Sequence, residues 1–199
     1  DLLLNIYRCI EKVEIPTFIV QIGPHAFYNC TKLKSVTFLP ESKLKSIGES
    51  SFAHCSIENS ELLLFEPFVF YETQIESLFV PPKVIEFKEE WCSKTTKLNR
   101  ILVAKNNQLF EFVDDKFLVG KSDQKSDFFD VLLFARRDIK EAAIPSFISR
   151  ICCKSFADYM ELNSITFCED SKLKKIDRKA FSFCPIESIF ISSSADTKF

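Results

Sequence analysis

Glycine, histidine, tryptophan and methionine are all scarce in this sequence. Its 199 residues include 3 Gly, 2 His, 1 Trp and 1 Met. A loop that cradles phosphate is rich in glycine, and neither a G-x-G-x-x-G motif nor a P-loop is present. The neighbours His54 and Cys55 are unsuited to nucleophilic catalysis, because adjacent side chains on a short turn diverge. No enzymatic activity and no cofactor are therefore expected.

The sequence also lacks an excess of one charge and a long apolar run. It has 26 basic and 28 acidic residues and a formal net charge of -2, whereas nucleic-acid binding needs a concentrated positive field. Apolar runs such as Leu62 to Phe65 and Val131 to Ala135 are far shorter than the ~20 residues that cross a bilayer. The sequence thus predicts no nucleic-acid partner and no membrane span.

The beginning of the sequence is unusual. Asp1 stands where an initiator Met is usual, and Leu2 to Leu4 lack the basic flank of a signal peptide. The sequence is therefore expected to be a fragment or a processed chain.

Phenylalanine dominates the apolar content. Apolar residues make up 46% of the chain, with 22 Phe against 4 Tyr. This is enough material for one continuous core. Because Phe packs without needing a hydrogen-bond partner, these side chains are expected to point inward.

The sequence repeats itself at two levels. Residues 33–55 and 162–184 align without a gap at an offset of 129, and 11 of the 23 positions are identical. Within each half a shorter unit reads Leu-x-x-Ile-x-Phe and then Ile-x-x-x-x-Phe-x-x-Cys. One copy consists of Leu33, Val36, Phe38, Ile47, Phe52 and Cys55. Since one such unit cannot bury its apolar side alone, it must stack on its neighbours.

These residues resemble the BspA-like class of leucine-rich repeats, whose unit runs Leu-x-x-Ile-x-Ile-Pro and then Ile-Gly-x-x-Ala-Phe-x-x-Cys. The matching residues are Ile15-Pro16, Ile22-Gly23, Ala26-Phe27 and Cys30, followed by Ile47-Gly48, Phe52 and Cys55 and then by Ile144-Pro145, Ile176, Ala180-Phe181 and Cys184. The resemblance implies a surface antigen of bacterial or protist type. It further implies a cell-surface or extracellular location, a role in adhesion, and a protein partner such as a host or extracellular-matrix protein.

The expected architecture is a single leucine-rich-repeat solenoid over residues 1–199, with about seven or eight turns. Parallel strands should form its concave face, with short helical turns or strands on the other side. Residues 105–138 break the period. Because Asp114-Asp115 is a turn signal between two apolar stretches, this segment is predicted to be a β-hairpin-like insertion.

The candidate binding surface is the outward row of the repeat strands, because solenoids bind through such continuous surfaces. Most of its members are small or polar, whereas Phe79, Leu102 and Phe190 are apolar and are candidate contacts. The row consists of Lys12, Glu14, Ser35, Thr37, Asn59, Glu61, Ser77, Phe79, Arg100, Leu102, Glu141, Ala143, Ser164, Thr166, Ser188 and Phe190. The sequence leaves two functions open: a surface module that binds a protein, or an intracellular scaffold or spacer without a dedicated ligand.

Eight cysteines raise the possibility of metal or disulfide chemistry. No pair has C-x-x-C spacing, and the adjacent pair Cys152-Cys153 is a poor arrangement for one tetrahedral metal, so no metal is expected. The repeat-slot cysteines are expected to be buried thiols; they are Cys30, Cys55 and Cys184. Three cysteines lie outside the slot, and a disulfide stays open for them if the chain is extracellular: Cys9, Cys92 and Cys168.

One further motif concerns modification. Asn29-Cys30-Thr31 satisfies the acceptor pattern for N-glycosylation. Asn29 is therefore a candidate glycosylation site.

Overall fold

The chain is represented by a computed structural model that describes residues 2–3, 9–38, 43–44, 46–57, 59–61, 68–80, 82, 84–158 and 161–192. These residues form two compact units, Asp1–Gln108 (unit 1) and Leu109–Phe199 (unit 2). The arrangement of the whole chain as one solenoid stays a prediction.

Unit 1 contains two parallel sheets, each built from one strand per repeat. Its front sheet has five strands in chain order: β2 (Lys12–Ile15), β4 (Ser35–Phe38), β6 (Asn59–Glu61), β7 (Ser77–Val80) and β8 (Arg100–Val103). Its back sheet has three short strands: β1 (Leu2–Leu3), β3 (Gln21–Ile22) and β5 (Ser46–Ile47). The parallel leucine-rich-repeat architecture that the sequence predicts is confirmed.

Unit 2 repeats this plan. Its front sheet consists of β12 (Glu141–Ile144), β14 (Ser164–Cys168) and β16 (Ser188–Ser192), all parallel. Its back sheet contains the parallel strands β11 (Val131–Ala135), β13 (Arg150–Ile151) and β15 (Lys175–Ile176).

An antiparallel hairpin extends the back sheet of unit 2. Strands β9 (Phe110–Val113) and β10 (Phe117–Gly120) pair with each other, and β10 also pairs antiparallel with β11. Asp114 and Asp115 both have positive φ, and the N–H of Lys116 donates to the carbonyl of Val113 at 3.0 Å. This geometry is that of a type I′ turn, whose twist matches antiparallel strands. The treatment of residues 105–138 as an insertion into one solenoid stays a prediction.

The segments that follow the back strands are tight turns. Of the two forms expected on this side of the repeat, short helical turns or strands, the strands are present. Over the described part of the chain no helix is present. In the first repeat the N–H groups of Ala26, Tyr28 and Cys30 each donate to the carbonyl three residues earlier. The alternate N–H groups donate to the next turn instead, as His25 does to Glu49 at 3.0 Å and Phe27 to Ser51 at 2.9 Å.

A backbone signature accompanies these turns. Pairs of residues four apart have positive φ: His25 and Asn29, Ser50 and His54, Phe68 and Glu72, Glu90 and Lys94, Lys154 and Asp158, and Lys179 and Phe183. Left-handed residues of this kind cannot continue an α-helix. The backbone hydrogen bonds therefore alternate between acceptors in the same turn and acceptors in the adjacent turn, instead of running along a helix.

The phenylalanines of the repeat stack inside each unit. The rings of Phe27 and Phe52 lie 4.9 Å apart with an interplanar angle of 14°, and both are fully buried. Phe156 and Phe181 stack at 4.8 Å in unit 2. Burying one such side chain stabilises the fold by roughly 2–3 kcal/mol.

Candidate interaction surfaces

Strand register brings the predicted surface residues together within each unit. Unit 1 has one continuous row of register neighbours across its front sheet: Lys12, Ser35, Asn59, Ser77 and Arg100. In a second row, Glu14 pairs with Thr37, and Phe79 pairs with both Glu61 and Leu102. In unit 2, Glu141, Ser164 and Ser188 are neighbours, as are Ala143, Thr166 and Phe190. Asn59 and Glu61 are assigned to this row from the backbone pairing of β6 with β4 and β7. We call these residues the strand face of their unit.

Alternation along each strand explains why these side chains face outward. In β7 the buried residues are Leu78 and Val80, whereas Phe79 between them is half-buried. In β8, Ile101 is buried and Arg100 is exposed. One face of each strand fills the core, so its other face is left for solvent or a partner.

The strand face of unit 1 carries an apolar pair. Phe79 and Leu102 are register partners on adjacent strands, and Leu102 is 49% exposed. Arg100 precedes Leu102 by two residues on the same side of β8 and is also exposed. On unit 2, Phe190 is 54% exposed beside Thr166. An apolar pair next to an exposed guanidinium is a suitable anchor for a protein partner.

A cluster of charged and aromatic side chains lies on the tight turns of unit 1. The sequence did not predict this cluster. The Nδ1 atom of His54 lies 3.1 Å from Oε2 of Glu72, and Nζ of Lys94 donates to Oε1 of the same carboxylate at 2.6 Å. The ring of His54 makes edge-on contacts with Tyr28 at 5.2 Å and Tyr71 at 5.5 Å. These contacts join four successive turns.

The charges of this cluster stabilise one another. The hydrogen bond from Lys94 holds the pKa of Glu72 below its usual value, and the same bond, together with Tyr71, raises the pKa of Lys94. His54, Glu72 and Lys94 occupy equivalent turn positions but are 18 and then 22 residues apart. Because these spacings are unequal, the regular repeat pattern did not reveal them. Their mutual contacts indicate that this cluster stabilises the stacking of the turns.

Cys30 and Cys55 are buried as expected, whereas Cys184 is only partly buried. Two of these repeat-slot cysteines donate hydrogen bonds to carbonyls of the preceding turn. The Sγ of Cys55 donates to the carbonyl of Phe27 at 3.1 Å, and burial raises its pKa to about 12. The Sγ of Cys184 donates to the carbonyl of Phe156 at 2.6 Å. In the two turns that follow Cys55 the same slot holds threonine. The hydroxyl of Thr73 donates to the carbonyl of Phe70 at 2.9 Å, and that of Thr95 donates to the carbonyl of Cys92 at 2.6 Å. In these four turns the slot holds a small side chain that donates a hydrogen bond to a backbone carbonyl.

Asn29 lies on a turn of unit 1 with a φ of 58° and is half-buried. Its N–H donates to the carbonyl of Ala53 at 2.9 Å. Cys30 is fully buried, whereas Thr31 is exposed.

The structure also bears on metal and membrane binding. Over the described residues, no group of three or more His, Cys, Asp or Glu side chains is placed to hold a metal ion. In the same described residues there is no helix long and apolar enough to cross a bilayer.

Comparison with solved structures identifies the fold. A leucine-rich repeat protein from Eubacterium ventriosum superposes with a TM-score of 0.71 at 17% identity, over 93% of this chain and 55% of that one. A leucine-rich cell surface protein from Faecalibacterium prausnitzii gives 0.58 at 20% identity, over 92% and 61%. The pneumococcal vaccine antigen PcpA gives 0.61 at 23% identity, over 94% and 40%. This chain thus spans only part of the length of each.

Sequence comparison identifies the family. No curated protein sequence gives a significant match. The model of the BspA type leucine-rich repeat region matches six copies, over residues 6–113 and 131–198. Because these matches cover most of the chain and agree with the parallel strands of both units, the chain belongs to the BspA-type leucine-rich repeat family.

Proposed function

We propose that this chain is a non-enzymatic protein-binding module that engages its partner through the strand face of unit 1. The observation that carries the proposal is the apolar pair Phe79 and Leu102, which lies beside the exposed Arg100 on adjacent parallel strands. A few residues provide most of the affinity in many protein interfaces, and aromatic side chains and arginines are enriched at such positions.

The proposed setting is the cell surface, and the proposed partner is a host or extracellular-matrix protein. Two of the structurally similar proteins are described as a cell surface protein and a vaccine antigen. Glycosylation of Asn29 belongs to the same proposal, since its side chain is half-buried and the third residue of its acceptor motif, Thr31, is exposed.

Binding to immobilised fibronectin, laminin and collagen tests the proposal. The double variant Phe79→Ser/Leu102→Ser and the variant Arg100→Glu should each weaken binding to the recognised protein at least about tenfold. Phe128→Ser is the matched control, because Phe128 is 78% exposed but does not belong to the strand face. The strand-face assignment is wrong if these variants bind as tightly as the parent chain.

The second reading, an intracellular scaffold, makes a different prediction. It requires the intact protein to be found inside the cell and all three matrix proteins to remain unbound. Fractionation of cells that carry the intact protein separates the two readings.

A further inference from the structure

The two related halves of the chain differ in charge at one place. Residues 172–179 include five basic side chains and one acid: Lys172, Lys174, Lys175, Arg178, Lys179 and Asp177. The aligned residues 43–50 contain two lysines and one glutamate, and Ser46, Glu49 and Ser50 stand opposite Lys175, Arg178 and Lys179. The segment of unit 2 thus carries +4 against +1. Its five basic residues are all exposed.

Stacking of the turns adds more positive charge beside this segment. Arg150 of β13 is the register partner of Lys175 on β15. Lys154 and Lys179 occupy equivalent positions in successive turns, since the N–H of Phe156 donates to the carbonyl of Ala180 at 2.9 Å and both lysines have positive φ. Cations therefore lie opposite cations: Arg150 and Lys175 on strands about 4.8 Å apart, and Lys154 and Lys179 on successive turns.

Like charges in this arrangement repel one another, and the fold offsets the repulsion only in part. Asp177 accepts from Nη2 of Arg150 at 2.6 Å and from Nζ of Lys175 at 2.9 Å. The ammonium of Lys154 lies 5.3 Å from the ring centre of Phe183. One carboxylate faces two cations of the first pair, so this part of unit 2 retains a local excess of positive charge.

We propose that this basic surface of unit 2, formed by Lys172, Lys174, Lys175, Arg178 and Lys179 with Arg150 behind them, binds a sulfated polysaccharide. Sulfate groups on a flexible chain can approach several lysines at once, and each contact relieves the repulsion between them. The site is separate from the strand-face function and does not depend on it.

Two features favour a sulfated polysaccharide over a nucleic acid. Four of the five exposed cations are lysines, which act as point charges, whereas recognition of phosphates and bases favours the bidentate arginine fork. A chain of net charge -2 with +4 in this segment carries -6 elsewhere. That distribution favours an anionic chain whose charged groups are clustered in short stretches, as sulfates on a polysaccharide can be, over a chain with one charge at every unit along its length.

Binding of a heparin octasaccharide, measured by calorimetry from 50 to 300 mM NaCl, tests the site. The variant Lys174→Gln/Lys179→Gln should lose at least about tenfold in affinity at 150 mM NaCl and should show a shallower dependence on salt. Lys174→Arg/Lys179→Arg should retain binding because it keeps the charge. The matched control is Lys34→Gln/Lys43→Gln, which removes two exposed lysines of unit 1 and should leave affinity within about twofold.

Two outcomes overturn the proposal. One is that heparin fails to bind at 50 mM NaCl, or binds the glutamine variants of both units equally. The other is that a twenty-nucleotide single-stranded DNA binds as tightly as heparin with the same dependence on Lys174 and Lys179, which would make the site a general polyanion site. Because the substituted lysines are exposed, unchanged circular dichroism and thermal unfolding of the variants confirm that folding is intact.

Discussion

At Gly48 the backbone of one turn lies directly against that of the turn before. A Cβ atom added there would lie 2.5 Å from the N atom of Pro24 and 2.8 Å from the carbonyl carbon of Gly23. Both are backbone atoms held by the stack, so they cannot move aside cheaply. Gly48→Ala should therefore lower the free energy of unfolding by about 3 kcal/mol, as measured by urea denaturation.

Gly120→Ala provides the control for this prediction. The nearest atoms to its added Cβ belong to the side chains of Leu133 at 3.0 Å and Phe110 at 3.1 Å. Side chains can adjust, so the loss should be only about 1 kcal/mol. Equal losses for the two variants would show that backbone contact between turns is not what requires glycine at position 48.

Individual thiols should differ sharply in reactivity, because the thiolate is the reactive form. Cys55 is buried and its pKa is raised to about 12, whereas Cys9 is exposed. Iodoacetamide at pH 8 should label Cys9 within minutes and Cys55 only after unfolding, as read by peptide mass spectrometry. Rapid labelling of Cys55 in the folded chain would contradict its place in the core.

The burial of a residue could be predicted where the same residue type recurs at one position of the repeat. The burial of Phe27 and Phe52 followed from their spacing, and that of Cys30 and Cys55 followed from the repeat. Thr73 and Thr95 were not predicted to share the cysteine slot. In the turns that end at Cys55, Thr73 and Thr95 the slot holds a small side chain that donates a hydrogen bond to a backbone carbonyl, and this shared property does not show as identity between repeats.

At the scale of the element, equivalent turns of the two units provide a natural comparison. Phe52 and Phe181 are aligned by the 129-residue offset and each stacks on the phenylalanine of the preceding turn. Phe52 is fully buried, but Phe181 is only partly buried. Phe52→Ala should cost about 4 kcal/mol of unfolding free energy, and Phe181→Ala only about 2 kcal/mol. Urea denaturation measures both costs. Equal costs would mean that the turn stacked on Phe52, which contains Val69 and Phe70, adds nothing to the stability that its burial provides.

The strands were predictable and the turns between them were not. Alternation in Ser77–Val80 separates the buried Leu78 and Val80 from the half-buried Phe79, which period-two reasoning anticipates. Spacings of four and five residues from Ile22 to Phe27 fit a helical turn equally well. The outcome depended on hydrogen bonds to the adjacent turn, such as that from Phe27 to Ser51, and one repeat alone cannot show a bond to its neighbour.

At the scale of the whole molecule, several carboxylates make stability depend on pH. The pKa values of Glu72, Asp130, Asp138 and Asp177 are all lowered. Burial alone would raise the pKa of Asp177, but hydrogen bonds from Arg150 and Lys175 hold it below its usual value. A group with a lowered pKa in the folded state stabilises the fold above its unfolded pKa of about 4, and that stabilisation is lost as pH falls through the folded value.

The chain should therefore be about equally stable at pH 7 and pH 5 with respect to these groups and should lose stability steadily between about pH 4 and pH 2. Asp177→Asn tests the assignment, because the amide keeps the shape but cannot carry the charge that Arg150 and Lys175 bind. Its unfolding free energy should lie below that of the parent chain at pH 7, and the gap should narrow towards pH 2, where the parent carboxyl is also neutral. A gap of constant size across that range, measured by urea denaturation, would show that Asp177 acts through packing and not through its charge.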